Sequence, residues 1–142
     1  MHRRVSTLKC RALGNNPSLP FNSFAFGLAW VALLPACQNP DDIIQAARFG
    51  DLEKLSDCIE SGIPVDHVDP AGETPLFHVI GAGSEKAFGL LMTNDANIRL
   101  RDNLGNTTLH KAVTFGRRGF AFELIERGLD INATNKVGAT AL

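Results

Sequence analysis

The feature that most constrains this chain is an internal repeat with a period of 33 residues. Glycines mark it, because one period separates Gly50 from Gly83 and Gly83 from Gly116. Other residues of like type recur at the same step: Asp69, Asp102 and Asn135; Gly72, Gly105 and Gly138; Thr74, Thr107 and Thr140; Leu76, Leu109 and Leu142. A period without insertions predicts one supersecondary unit that stacks on copies of itself.

Each unit has the pattern of two short helices joined by a glycine turn. In the middle unit, Thr74 is suited to cap the first helix, and Pro75 fits its first turn. The second helices carry apolar residues at matching phases: Leu55, Cys58 and Ile59; Phe88, Leu91 and Met92; Ala121, Leu124 and Ile125. Gly62, Asp95 and Gly128 stand where a left-handed residue ends a helix. Because each helix pair is apolar on two sides, the pattern predicts an all-α repeat solenoid.

The unit reads Asp-x-x-Gly-x-Thr-Pro-Leu, an apolar helix, Gly, and a second apolar helix. It resembles the ankyrin repeat, whose 33-residue unit carries a Thr-Pro-Leu-His-x-Ala box. Phe77 stands where the family has His, whereas the next unit keeps His110 and has Thr108 in place of Pro. The resemblance implies that His110 bonds the neighbouring loop. It also implies stacked helix-turn-helix repeats with β-hairpin or loop tips over residues 42–142: a half repeat 42–68, repeats 69–101 and 102–134, and an incomplete repeat 135–142.

The first 36 residues do not share the period. They contain four basic residues and no acid, followed by an uncharged apolar run over residues 24–34 and a small residue, Ala36. This order predicts a secretory signal peptide over residues 1–36, with residues 37–41 as a linker. The apolar run is shorter than the roughly 20 residues of a comfortable helical span.

Cys37 directly follows the small residue, so the segment resembles a bacterial lipoprotein signal. The resemblance implies cleavage before Cys37, attachment of palmitate-containing lipid to its sulfur, and anchoring to a membrane in the periplasm. Gln38, in place of the aspartate that marks inner-membrane retention, favours the outer membrane. Three alternatives stay open: an uncleaved membrane anchor, an exported soluble protein, and a cytoplasmic protein.

Charge and cysteine content narrow the possible functions. The chain has a formal charge of −1, and removal of four basic residues with the signal leaves −5 for residues 37–142. A mildly acidic domain does not suit nucleic acid, where phosphate contacts need Lys and Arg. With Cys10 removed and Cys37 acylated, Cys58 would be left without a partner, so no disulfide is expected. Cys58 as a catalytic thiol is disfavoured because no histidine lies in phase nearby.

Motifs of catalysis and cofactor binding are absent from the sequence. It contains no phosphate-binding Gly-rich loop, no CxxC or HExxH metal spacing and no GxSxG elbow. His78 is expected to point outward from the first helix, and a metal site made by His67 and His78 is conceivable, but the spacing does not demand it. The sequence therefore predicts no enzyme activity, no cofactor and no small-molecule substrate.

A stack of such units forms an extended surface for binding. In ankyrin proteins this concave surface is built from the hairpin tips and the exposed face of the first helices. Mapping the phases gives ten candidate partner-binding residues: His67, Glu73, His78, Arg99, Leu100, Arg101, Asn103, Leu104, Lys111 and Phe115. For Phe115, packing on the next repeat is an equal alternative.

The resemblance and the signal together predict a protein-binding module at the bacterial cell envelope. Its expected partner is a secreted toxin or an envelope enzyme. A non-functional piece of a longer ankyrin protein and a cytosolic adaptor are the alternatives. The last complete repeat is followed by no further helix pair, so its apolar edge is expected to be exposed.

Overall fold

The computed structural model describes residues 37–142, and the predicted signal peptide lies outside the described residues. The described part contains six α-helices: α1 (Asp42–Phe49), α2 (Leu52–Glu60), α3 (Pro75–Ala82), α4 (Glu85–Thr93), α5 (Thr108–Thr114) and α6 (Arg118–Glu126). Its only β-structure is two isolated bridges, Arg101–Thr107 and Thr134–Thr140, at the bases of two loops. The predicted all-α solenoid is confirmed. Within residues 37–142, none of the helices combines the length and apolar character that crossing a membrane requires.

The helices form two rows. The first helices of the units, α1, α3 and α5, pack one on the next, and α2 packs on α4 behind them. The predicted apolar positions Leu55, Leu91 and Leu124 are fully buried between the rows. In α6, Phe120 is buried in addition, and its ring stacks on that of Phe88 with the centroids 4.8 Å apart. The core therefore runs through the stack from one repeat to the next.

The predicted helix stops are confirmed. Gly62 and Gly128 have φ angles of 89° and 84°, and Asp95 at the same phase has φ 60°. Asp95 is the only residue other than glycine with a positive φ in the part of the chain that the structure describes. The backbone therefore turns at the same point in all three units, even where the sequence lacks glycine.

The caps of the first helices differ between units. The Thr107 hydroxyl accepts from the backbone N–H of His110, and Nδ1 of His110 accepts from the backbone N–H of Thr107. Nε2 of His110 lies 3.0 Å from the carbonyl oxygen of Ala139 in the next loop, which confirms the role that the family resemblance implied. In the middle unit Phe77 replaces the histidine. Thr74 occupies the predicted N-cap position, but the N–H of Phe77 donates to its carbonyl oxygen, and its Oγ1 is buried without a hydrogen-bond partner. The predicted side-chain cap is therefore not made.

The structure corrects the cysteine prediction. Cys37 and Cys58 form a disulfide, with Cα atoms 5.2 Å apart and 21 residues apart in sequence. Next to the disulfide, the Asp42 carboxylate accepts hydrogen bonds from the backbone N–H groups of Gln38 and Asn39. Cys58 occupies the predicted core-facing phase. Its sulfur is not a free thiol, so a catalytic role for it is excluded as well.

The disulfide also bears on the lipid predicted at Cys37. Lipid attachment needs the Cys37 sulfur for a thioether, and in the structure that sulfur is bonded to Cys58. The two modifications exclude each other. Lipid at Cys37 therefore stays a prediction, and it would require that the disulfide with Cys58 does not form.

Candidate protein-binding surface

Three loops project from the stack, and an equivalent side chain closes each of them. A side-chain oxygen of Asp69, Asp102 or Asn135 accepts hydrogen bonds from the backbone N–H groups two and four residues later, at 2.8–3.1 Å. Backbone bonds of 3.0 Å then join each loop to the next, from Asn103 N to Ala71 O and from Lys136 N to Leu104 O. The tips therefore form a fixed row, one per repeat.

Three of the predicted partner-binding residues are engaged within the stack. Arg99, Arg101 and Asn103 each donate a side-chain hydrogen bond to a backbone carbonyl of a neighbouring repeat, at 2.7–3.2 Å. The acceptors are the carbonyls of Gly128, Thr134 and Pro70, in that order. Leu100 is half-buried. Arg99, Arg101 and Asn103 therefore join neighbouring repeats. Sequence reasoning missed this role because the acceptors are backbone carbonyls, which have no sequence signature.

Apolar side chains remain exposed in two periodic rows. The tip row consists of Ala71, Leu104 and Val137, one per loop, and Leu104 is 68% exposed. The helix-end row consists of Phe49, Ala82 and Phe115, at the ends of α1, α3 and α5, and Phe115 is 50% exposed. Both rows follow the 33-residue period and lie on the elements that were predicted to form the concave surface. The structure leaves these apolar groups available for contact.

Between the two rows lies a polar cluster of Asp69, Glu73, His78 and Lys111. Nε2 of His78 lies 2.9 Å from Oδ2 of Asp69 and 3.5 Å from Oε2 of Glu73, and the Lys111 ammonium group bonds Oε1 of Glu73. The side chain of His78 is only 9% exposed. The expectation that His78 points outward is therefore wrong, because the two carboxylates hold the imidazole against the loop. The predicted residues Glu73, His78 and Lys111 are brought together.

The electrostatics of the cluster keep Asp69 ionised. Burial raises the pKa of Asp69, but the backbone N–H of Glu73 and the side chain of His78 donate hydrogen bonds to it. Together with the N–H of Ala71 they outweigh burial, and the pKa of Asp69 lies below its ordinary value. Lys111 contributes a second contact, since its Nζ lies 5.6 Å from the centroid of the Phe115 ring.

His67 lies apart from His78, so the two histidines do not form the metal site that the sequence left open. Nε2 of His67 lies 3.0 Å from Oδ1 of Asp41 at the start of the stack. The ligand atoms that do converge belong to Asp69, Glu73 and His78, all within 4.8 Å of one another. In the sequence, only a departure from the repeat marks this group of residues. The positions one period after Glu73 and His78 hold Asn106 and Lys111, which are residues of a different type.

A comparison with protein-family models decides the family. The model for ankyrin repeats, in three copies, matches residues 43–135. This chain is an ankyrin-repeat protein.

Similar proteins share the ankyrin region with this chain. Protein phosphatase 1 regulatory subunit 27 of Mus musculus is 32% identical over 102 residues, which are 70% of this chain and 66% of that protein. The E3 ubiquitin-protein ligase KEG of Arabidopsis thaliana is 34% identical over 100 residues, and diacylglycerol kinase zeta of Rattus norvegicus is 28% identical over 127 residues. The matches cover 68% and 87% of this chain but only 6% and 13% of those two proteins.

The similarity supports binding and carries no catalytic assignment. Ankyrin repeats generally mediate protein–protein interactions, and such domains are usually non-catalytic. The names of two of these relatives denote enzymes, but the matched share of each is small. The ankyrin repeats are the domain that the family model identifies in this chain.

Apolar residues of α5 and α6, together with Leu142, form a further exposed edge on the described part of the stack. Val113, Ile125, Phe122 and Leu142 line an open depression of about 560 Å³, and Phe122 is 70% exposed. The edge is separate from the two periodic rows, since it is formed mainly by α5 and α6.

Proposed function

We propose that this ankyrin protein is a non-enzymatic binding module that holds one protein partner on its concave surface. The observation that carries the proposal is the pair of apolar rows described above. Fixed loops carry the tip row, and the helix-end row runs parallel to the helix stack. Aromatic and aliphatic side chains of this kind supply most of the contact energy in protein interfaces.

The partner would dock across both rows and around the polar cluster between them. Leu104 and Phe115 supply the apolar anchors, while Lys111 and the exposed part of Glu73 supply polar contacts at the rim. Arg99, Arg101 and Asn103 contribute by keeping the loops in register.

We place the protein outside the cytoplasm, in the bacterial periplasm. Two features support this location: the basic and apolar N-terminal segment, and the disulfide between Cys37 and Cys58. Disulfides form and persist in oxidising compartments, among them the periplasm. A secreted toxin or an envelope enzyme is the partner type proposed. With Cys37 engaged in the disulfide, two arrangements are proposed. Either an uncleaved N-terminal segment attaches the protein to the membrane, or the protein is soluble after export.

Site-specific photo-cross-linking in intact bacteria tests the surface. Benzoylphenylalanine is placed at position 104 or 115, and the matched control is position 126, an exposed site at the end of α6. Positions 104 and 115 should yield the same single adduct, and position 126 should not. The same adduct from all three positions, or none from 104 and 115, would refute this surface as the binding site.

The same cells test the location. Osmotic-shock extraction separates periplasmic from cytoplasmic protein, and a non-reducing gel reports the disulfide. A protein found in the cytoplasmic fraction with reduced cysteines would contradict the proposed location and favour a cytosolic adaptor.

A further inference from the structure

The polar cluster contains more ligand groups than the ankyrin fold uses. Each carboxylate gives one oxygen to the structure: Oδ1 of Asp69 closes its loop, and Oε1 of Glu73 bonds the Lys111 ammonium group. The other two oxygens, Oδ2 and Oε2, converge on one atom, Nε2 of His78. An imidazole nitrogen carries at most one proton, so a single N–H serves two acceptors.

The next repeat shows that the fold does not require these groups. Asp102 closes its loop with Oδ1 as Asp69 does, but Asn106 stands at the phase of Glu73 and Lys111 at the phase of His78. The third loop is closed by Asn135 instead of aspartate. The carboxylate of Glu73 and the imidazole of His78 are therefore additions to the repeat pattern that loop closure leaves unexplained.

The charge of the cluster favours a cation. Asp69 and Glu73 contribute two negative charges and Lys111 one positive charge, which leaves one net negative charge when His78 is neutral. The side chains of Asp69 and Glu73 are 12% and 15% exposed, so the charge is poorly solvated yet reachable by water.

We propose that Asp69, Glu73 and His78 form a binding site for a zinc ion. Carboxylate oxygens and an imidazole nitrogen are zinc ligands, with bonds of about 2.0–2.2 Å. Two ligand atoms on one zinc ion therefore lie on the order of 3 Å apart, which is close to the 2.9 and 3.5 Å separations of the two oxygens from Nε2.

In this site the neutral His78 imidazole would offer the lone pair of Nε2 to the metal and carry its proton on Nδ1, and the proton displaced from Nε2 would pass to Nδ1 or, from a protonated ring, to solvent. Water completes the coordination. Lys111 holds the Glu73 carboxylate in place from outside the coordination sphere, as partners of metal ligands commonly do. Calcium and magnesium are not favoured, because both prefer oxygen ligands alone and calcium takes six to eight of them. Zinc binding at this site does not depend on the proposed partner.

Isothermal titration of the full, oxidised chain with zinc chloride tests the site. The informative variants take their residues from equivalent positions of this same chain: Glu73→Asn, His78→Lys and Asp69→Asn. His67→Ala is the control, since His67 pairs with Asp41 away from the cluster. Wild type and the control should bind one zinc ion with equal affinity. Loss of an outer-shell partner of a metal ligand costs up to roughly 100-fold in affinity. Loss of a ligand itself should weaken zinc binding by at least as much.

Two further measurements keep the test decisive. Thermal unfolding checks that each variant is folded, and a variant that does not fold is replaced in the comparison by another of the three. In the wild type, ¹⁵N spectra of the imidazoles should show the His78 proton confined to Nδ1 after zinc addition. Absence of zinc binding in the wild type, or equal binding by folded His78→Lys, overturns the proposal. Binding lost in none of the three folded variants assigns the metal to other residues and overturns it too.

Discussion

Loss of the Cys37–Cys58 disulfide is expected to destabilise the stack measurably. The disulfide closes a loop of 21 residues, and the chain-entropy relation gives about 3.3 kcal/mol at 25 °C for a loop of that length. This is a large part of the 5–15 kcal/mol that small domains commonly have. The loss should be concentrated at the first helix pair, because the disulfide ties the chain before α1 to α2.

Cys37→Ala is the appropriate perturbation. It removes the cross-link but leaves the fully buried Cys58 side chain in the core, so no cavity is created at that position. Urea unfolding followed by circular dichroism is measured with and without dithiothreitol, in a Cys10→Ser background that removes the third cysteine. Wild type with reductant and Cys37→Ala should both lose about 3 kcal/mol, and reductant should not affect Cys37→Ala.

A wild-type unfolding midpoint that does not respond to reductant, together with two free thiols detected in the folded protein, would mean that the cross-link does not form. Lipid at Cys37, detected by mass spectrometry of the intact protein, would have the same meaning for that sulfur.

Three further predictions concern the stack and its loops. Leu109→Ala should destabilise by about 2–5 kcal/mol in urea unfolding, because Leu109 is fully buried; a loss below about 1 kcal/mol would contradict its place in the core. Thr107→Val should cost about 1–2 kcal/mol through loss of the cap, whereas Thr74→Val should be neutral or stabilising, since it removes an unpaired buried hydroxyl. Equal costs for the two threonines in thermal unfolding would argue against the distinction. Arg101→Ala should lower stability by about 1 kcal/mol, because it loses the hydrogen bond to the next loop. Leu104→Ser should leave stability within about 0.5 kcal/mol but weaken partner cross-linking. A loss of stability in Leu104→Ser and none in Arg101→Ala would show that Leu104 is the structural residue.

The candidate site was predicted in part. The phases assigned Glu73, His78 and Lys111 to one side of the stack, because loops and first helices recur at a known interval, and the structure brings these three side chains together. The phases did not predict that His78 turns inward. Its orientation depends on the carboxylates of Asp69 and Glu73. Lys111 of the next repeat in turn holds the Glu73 carboxylate. The exposed positions of Leu104 and Phe115 agree with the prediction of an available surface, and partner contact there stays a prediction.

The stacked helix pairs, the residues that stop the second helices and the register of the repeats followed from the sequence alone. Helical periodicity and turn preferences are local properties, and a strict 33-residue step repeats them, so the pattern of Leu55, Leu91 and Leu124 defined the core. Three features became evident only in the folded chain: the bond between Cys37 and Cys58, the unpaired hydroxyl of Thr74, and the convergence of Asp69, Glu73 and His78. These outcomes depend on distances between side chains of different segments or on competition for one hydrogen bond, and a one-dimensional pattern specifies neither.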